Sequence, residues 1–218
     1  MLVVDKPAGI AVHAPPGGGM ALENYFDALR FGLPRRPSLA HRLDRATSGC
    51  LVLGRHPKAL RKLGKLFASE QVKKRYWAIV SSEPTESSGV IDLPLLKQPQ
   101  DGHKWRTIVD SAGKPSQTEY RVLGRGDGAF WLELIPRTGR THQLRVHCAN
   151  MGFPILGDYL YGGESSRSQD FSLQLHARRV EVPLSPKRPP IVVEAPAPPH
   201  MLPQLQACGY DNPEPIPA

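Results

Sequence analysis

Apolar positions along this chain recur mostly in short runs bounded by Gly and Pro, the pattern of strands joined by tight turns. Leu2 to Val4 open as a strand that meets Pro7, and residues 9–19 form a Gly/Pro-rich loop. So abrupt a start inside a strand suggests that a preceding strand is missing. Leu22, Tyr25, Phe26 and Leu29 share one helical face over residues 20–31, which Gly32 and Pro34 end. Cys50 to Leu53 is a short apolar strand. Pro57 then opens a helix reaching Ser69, with Leu60, Leu63 and Phe67 inward and Lys58, Arg61, Lys62 and Lys65 on the opposite face. Tyr76 to Val80 alternates as a strand, with Tyr76, Ala78 and Val80 on one side and Trp77 and Ile79 on the other. Further short strands lie around Ile91, over Trp105 to Val109 and over Gln117 to Val122. A turn at Gly124-Arg125-Gly126-Asp127-Gly128 leads into a strand from Ala129 to Ile135. Pro136 to His147 is a turn running into a helix that ends near Gly152. Leu144, His147, Cys148 and Met151 form its apolar face, and Thr141, His142, Arg145 and Ala149 its polar one. The final strands are Leu173 to Val182 and Ile191 to Val193. A proline-rich stretch follows, whose last residues, 212–218, are expected to be disordered.

A length of 218 residues suits one large domain or two small ones. The expectation is one catalytic domain over residues 1–205 and a flexible tail over 206–218. Twenty-three prolines and 20 glycines agree with many strands and few long helices. The formal charge of +8 points to a polyanionic partner, nucleic acid or an anionic membrane. No apolar run approaches membrane-spanning length, and the N-terminus lacks the features of a secretion signal, so a soluble cytoplasmic protein is expected. Cys50, Cys148 and Cys208 have neither the number nor the spacing of a disulfide framework or zinc site.

Candidate chemistry concentrates in His41-Arg42-Leu43-Asp44-Arg45-Ala46-Thr47-Ser48-Gly49, where Asp44 lies between two arginines. Positive neighbours favour an ionised carboxylate, which can serve as nucleophile or base, although a solvated surface pair is the commoner role of such an Asp. Between Arg55 and Arg75 stand eight basic residues and one acid, Glu70, a bias that favours phosphate contact. Tyr76 directly follows Lys73-Lys74-Arg75, the composition needed to stack a base while cations hold its phosphates. Arg145 could aim its guanidinium at a buried carboxylate or a phosphate. Other chemistries find little support. His142 and His147 are five apart, off the spacing for a shared metal. Ser48 lies in Thr-Ser-Gly rather than a nucleophile elbow, with nothing in the sequence to fix a His to it. Gly17-Gly18-Gly19 lacks the Lys-Ser/Thr of a phosphate-binding loop, and the Arg-Gly-Asp triplet at 125–127 belongs to a turn.

Several segments, in order and spacing, resemble the RluA-type family of RNA pseudouridine synthases. They are Val3-Val4-Asp5-Lys6-Pro7-Ala8-Gly9, the Asp44 segment, Lys74-Arg75-Tyr76-Trp77-Ala78, Gly113 to Tyr120, Thr138 to His147, and Pro154-Ile155-Leu156-Gly157-Asp158. The resemblance implies an α/β (α+β) fold on a mixed, mainly antiparallel sheet with flanking helices and a central RNA cleft. It implies that Asp44 is the catalytic aspartate acting on a flipped-out uridine, that Tyr76 stacks on the uracil, that Arg145 pairs with Asp44, and that Arg42 enters the RNA where the uridine leaves its stack. His41, Arg45, Thr47, Lys73, Lys74, Arg140 and His142 are the further expected RNA contacts. The expected substrate is tRNA, large-subunit rRNA or both, with no cofactor, metal or obligatory protein partner. An N-terminal S4-like module, carried by many relatives, is expected to be absent. A glycoside hydrolase would need a second carboxylate that these segments lack. A catalytically inert RNA-binding protein of the same fold is the alternative, against which Asp44 itself speaks.

Overall fold

Eleven strands and three α-helices form among the described residues, which are 1–14, 18–100, 104–126, 128–163 and 172–211 of a computed structural model. In chain order they are β1 (Leu2–Lys6), β2 (Ser38–Leu39), β3 (Ser48–Gly54), α1 (Pro57–Ala68), β4 (Lys73–Val80), β5 (Ser88–Asp92), β6 (Leu95–Gln100), β7 (Lys104–Val109), β8 (Gln117–Gly126), β9 (Ala129–Pro136), α2 (Gln143–Asn150), β10 (Leu175–Val182), β11 (Ile191–Glu194) and α3 (Leu202–Ala207). Three expectations touch residues outside the described set: Gly17 of the glycine loop, Asp127 of the hairpin turn and the tail over 212–218.

The chain comprises two compact units: residues 1–74 with 176–198, and residues 75–175 with 199–218. In the first, β3 is buried at all seven positions. It pairs antiparallel with β1 and β2 and parallel with β10, which pairs antiparallel with β11. Cys50, Val52, Leu63, Val72, Val180, Val182 and Ala195 pack between this sheet and α1. α1 keeps the expected faces: Leu63 is buried, whereas Lys58, Arg61, Lys62 and Lys65 are exposed. The helix expected over 20–31 is a 3-10 helix, Leu22–Leu29. Only Phe26 is buried in it, so the four-residue apolar face does not form.

In the second unit β4 pairs with β9, β9 with β8 and β8 with β5, all antiparallel, and β6 with β7 form a separate two-stranded ribbon. β4 begins three residues before Tyr76, and its last four residues are buried on both faces, so one-sided alternation does not describe it. α2 also departs from its sequence pattern: Gln143 to Cys148 are all buried, including Arg145 of the expected polar face, whereas Met151 of the expected apolar face is exposed. A wholly enclosed helix has no solvent face, and its polar side chains must then find internal partners. Residues 206–211, expected to begin a flexible tail, are held in the fold. α3 runs to Ala207, Cys208 is buried, and the Tyr210 ring packs edge-on against Trp77 and Trp131. Gly124 and Gly126 permit this, because a Cβ at either would overlap the carbonyls of Cys208 or Ala207. They belong to β8 rather than to a turn.

Candidate active site

Asp44 is half-buried between the exposed Arg42 and Arg45, in the loop from β2 to β3. The Thr47 amide donates to the Asp44 carbonyl at 3.1 Å and closes a turn. The N-terminal loop holds the same turn from outside: the Gly9 amide donates to the Arg45 carbonyl at 2.9 Å, and Arg45 Nε donates to the Gly9 carbonyl at 2.8 Å. Gly9 has φ +88°, a conformation that favours a residue without Cβ.

Lys6, at the end of β1, is wholly buried, and sequence reasoning assigned it nothing. Its Nζ donates to the carbonyls of Pro7 at 2.8 Å, Ile10 at 2.9 Å and Arg45 at 3.1 Å, which matches the three donors of an ammonium group. Burial lowers its pKa to about 8, and the negative charge of Asp44 opposes that shift. Lys6 thus ties the end of a core strand to the backbone beside Asp44. The Asp5-Lys6-Pro7-Ala8-Gly9 run was the available signal.

The remaining expected contacts of this unit divide into two kinds. Lys73 is exposed and available to a polyanion. Lys74 is half-buried with its pKa lowered, mainly by burial and against the pull of Glu70. His41 turns inward: its Nε2 accepts from the Val52 amide at 2.9 Å, and its ring stacks on Phe67 at 4.5 Å between centroids. Burial, then the Lys74 charge, lower its pKa to about 4, so at neutral pH it is an uncharged part of the scaffold. Thr47 is buried, and its Oγ1 has no hydrogen-bond partner among the described residues. Ser48 does meet a histidine, His176 of β10, with Oγ and Nδ1 2.9 Å apart. Both side chains are sealed from solvent, so the pair joins two strands rather than serving hydrolysis.

In the second unit Tyr76 is half-buried on β4, opposite Leu134 of β9. Arg145 on α2 is 5% exposed and meets Asp158, 1% exposed, through two bonds: Nε to Oδ2 and Nη2 to Oδ1, each 2.7 Å. Such a fork fixes both position and plane of the guanidinium. Asp158 Oδ1 also accepts the amides of Leu160 and Tyr161 at 3.0 and 3.1 Å. The Tyr161 ring lies 5.1 Å from the Arg145 guanidinium, and its hydroxyl is 2.8 Å from Nδ1 of His142. His142 starts α2 with φ +54°. Arg140 is exposed and donates to the Pro115 carbonyl at 3.3 Å, while its amide and the Thr138 hydroxyl donate to Gln143 Oε1 at 3.0 and 2.7 Å. Gln143 Nε2 completes the knot by donating to the Gln117 carbonyl and Thr118 Oγ1. Gln143, Asp158 and Tyr161 hold their neighbours through these bonds and were not singled out in the sequence, although Gln143 and Asp158 lay inside quoted segments.

Comparisons with known proteins identify the family. A sequence model described as RNA pseudouridylate synthase matches residues 1–150. The chain is 46% identical over 199 residues to an uncharacterised RNA pseudouridine synthase of Zymomonas mobilis, covering 90% of each. It is 37% identical over 162 residues to the ribosomal large subunit pseudouridine synthase C of Buchnera aphidicola, covering 74% of this chain and 51% of that one. The solved structure of human RNA pseudouridylate synthase domain containing 4 superposes with a TM-score of 0.79 at 28% identity, covering 97% of this chain and 91% of that one. Matched over more than half its length and by relatives this similar, the chain belongs to the RNA pseudouridylate synthase family and is an isomerase of RNA uridine.

Proposed function

We propose that this chain isomerises particular uridines of structured RNA, tRNA or large-subunit rRNA, with Asp44 as the reacting carboxylate on a flipped-out nucleotide. One observation carries it: a half-buried carboxylate, flanked by two exposed arginines, stands in a loop that Lys6 and Gly9 fix by its backbone. Pure RNA binding has no use for an immobilised acid facing phosphate. In the reaction the N1–C1′ bond breaks, the uracil turns, and C5 bonds to C1′ as the C5 proton leaves. Asp44 acts on base or sugar, Tyr76 supplies the stacking surface, and Arg145 is a buried cation that Asp158 holds in one plane. Flipping the uridine costs roughly a few kcal/mol, which stacking and phosphate contacts offset. Arg42, Arg45, Lys73 and the exposed face of α1 provide those contacts and take no part in bond making. Among the described residues no helix is long and apolar enough to cross a membrane. Bacterial relatives favour the cytoplasm as the compartment.

The test is Asp44→Asn assayed on tRNA and rRNA tritiated at uracil C5. The parent should release tritium, and Asp44→Asn should bind RNA as tightly while releasing none. Binding by the parent without tritium release from either RNA would favour an inert RNA-binding protein.

A further inference from the structure

The β6–β7 ribbon lies outside the machinery described above. Its register places Lys97 opposite Thr107 and Pro99 opposite Trp105, so these four side chains share one face. Trp105 is 54% exposed, and Lys97 Nζ lies 4.8 Å from its ring centroid. The other two tryptophans, Trp77 and Trp131, instead pack edge to face with each other. In sequence β6 and β7 carry three basic residues, Lys97, Lys104 and Arg106, and no acid.

The ribbon is anchored to the Leu160–Tyr161 segment, whose tyrosine contacts His142 and Arg145. The Thr107 amide donates to the Tyr161 hydroxyl at 3.2 Å, and Arg106 donates to the Leu160 carbonyl at 3.0 Å. The Arg106 guanidinium lies 5.3 Å from the Tyr161 ring centroid, and that same ring faces Arg145. An object held by the ribbon is therefore held at a fixed place relative to Arg145.

An exposed indole beside an ammonium suits a nucleotide better than an apolar protein face. Stacking a base uses the ring while the cation meets a phosphate, whereas an apolar partner would have to desolvate Lys97. We propose that the β6–β7 ribbon is a second contact for the substrate RNA, in which Trp105 stacks an unpaired base other than the reacting uridine and Lys97 pairs with an adjacent phosphate. This role rests on the functional reading above.

The experiment measures binding of a fluorescein-labelled RNA stem-loop with a uridine-rich loop, by anisotropy, in the full chain carrying Asp44→Asn so that the RNA stays unreacted. Trp105→Ala should bind about tenfold more weakly and Trp105→Phe within about threefold of the parent, because any aromatic face can stack a base. Lys97→Ala should lower the slope of log affinity against log salt by about one. Melting temperatures within about 2 °C of the parent, as expected for an exposed site, would show that the variants fold. Trp105→Ala binding as tightly as the parent would overturn the ribbon's role and leave the functional reading intact. If the parent bound neither this stem-loop nor total tRNA and rRNA, both would fall.

Discussion

Asp158→Asn removes half of the charge pair that fixes Arg145 while changing the side-chain volume very little. Asp158 accepts four donors, two from Arg145 at 2.7 Å and the amides of Leu160 and Tyr161 at 3.0 and 3.1 Å. An amide offers one oxygen, so its NH₂ must face either a guanidinium N–H or a backbone N–H, and the negative charge is lost in any orientation. With both side chains nearly solvent-free, Arg145 loses the buried carboxylate that holds its guanidinium through two bonds. Breaking such a pair costs about 3–5 kcal/mol. For a chain of this size each kcal/mol moves Tm by about 2–4 °C, so the expected drop is roughly 6–20 °C by calorimetry at pH 7. Tritium release should fall with it, since the guanidinium loses its aim. The double variant Arg145→Met/Asp158→Leu should regain much of the stability and none of the activity, because apolar replacement removes both buried charges together. A Tm within about 2 °C of the parent for Asp158→Asn would refute the buried-pair reasoning.

Acid should weaken the fold through His41. Its folded pKa of about 4 lies below the unfolded value of 6.5, so only the unfolded chain binds the proton between these pH values. Its stabilisation is complete above pH 6.5 and lost as pH falls toward 4. That interval, at about 1.36 kcal/mol per pKa unit, gives roughly 3 kcal/mol. His147 and His200, both lowered mainly by burial, act in the same direction. Urea unfolding of the parent and of His41→Gln should therefore converge as pH drops from 7 to 4, and parallel curves would dismiss His41 as the source. Gly49→Ala should also be costly, by about 2 kcal/mol or more, because Gly49 has φ +103° and a Cβ there would overlap the Ala177 carbonyl of the paired β10. A Tm equal to the parent's would mean that the two strands do not approach so closely.

Local patterns were legible in the sequence wherever one face of an element meets solvent. The basic face of α1 could be read directly because a helical stripe reports which side is wet, the strand at 117–122 shows partial alternation, and those at 129–135 and 191–193 were marked by their apolar runs. α2 shows the opposite case. Its first six residues are buried, apolar and polar alike, so periodicity assigned Arg145 and His147 to opposite faces where both are enclosed. β6 went unseen because Lys-Gln-Pro-Gln has no apolar alternation and its pairing depends on a partner strand, β7. Residues 206–210 were taken for tail, since nearby prolines suggested disorder while the contacts that order them come from distant glycines of β8 and from Trp77 and Trp131. The site divides in the same way. Asp44 was conspicuous because its arginine neighbours adjoin it in sequence, whereas the groups that hold the scaffold, such as Asp158 to Arg145 and Phe67 to His41, act across sequence gaps that one chain does not advertise.

The charge of the chain thus serves two physical ends that composition alone merges. Lys6 spends its three ammonium donors on backbone carbonyls, and Arg145 commits Nε and Nη2 to one carboxylate. Both are nearly or wholly sealed from solvent, so counter-ions screen them little, and their effect on geometry should survive high salt. Arg42, Arg45 and the cations of α1 are exposed, where Coulomb attraction is weak per pair and strongly screened. A polyanion that binds many of them at once releases counter-ions, and its affinity must then fall steeply as salt rises. On the function proposed above, affinity for RNA rests on the exposed cations and local geometry on the buried ones, so raising salt should weaken RNA binding while leaving the Lys6 and Arg145 contacts in place.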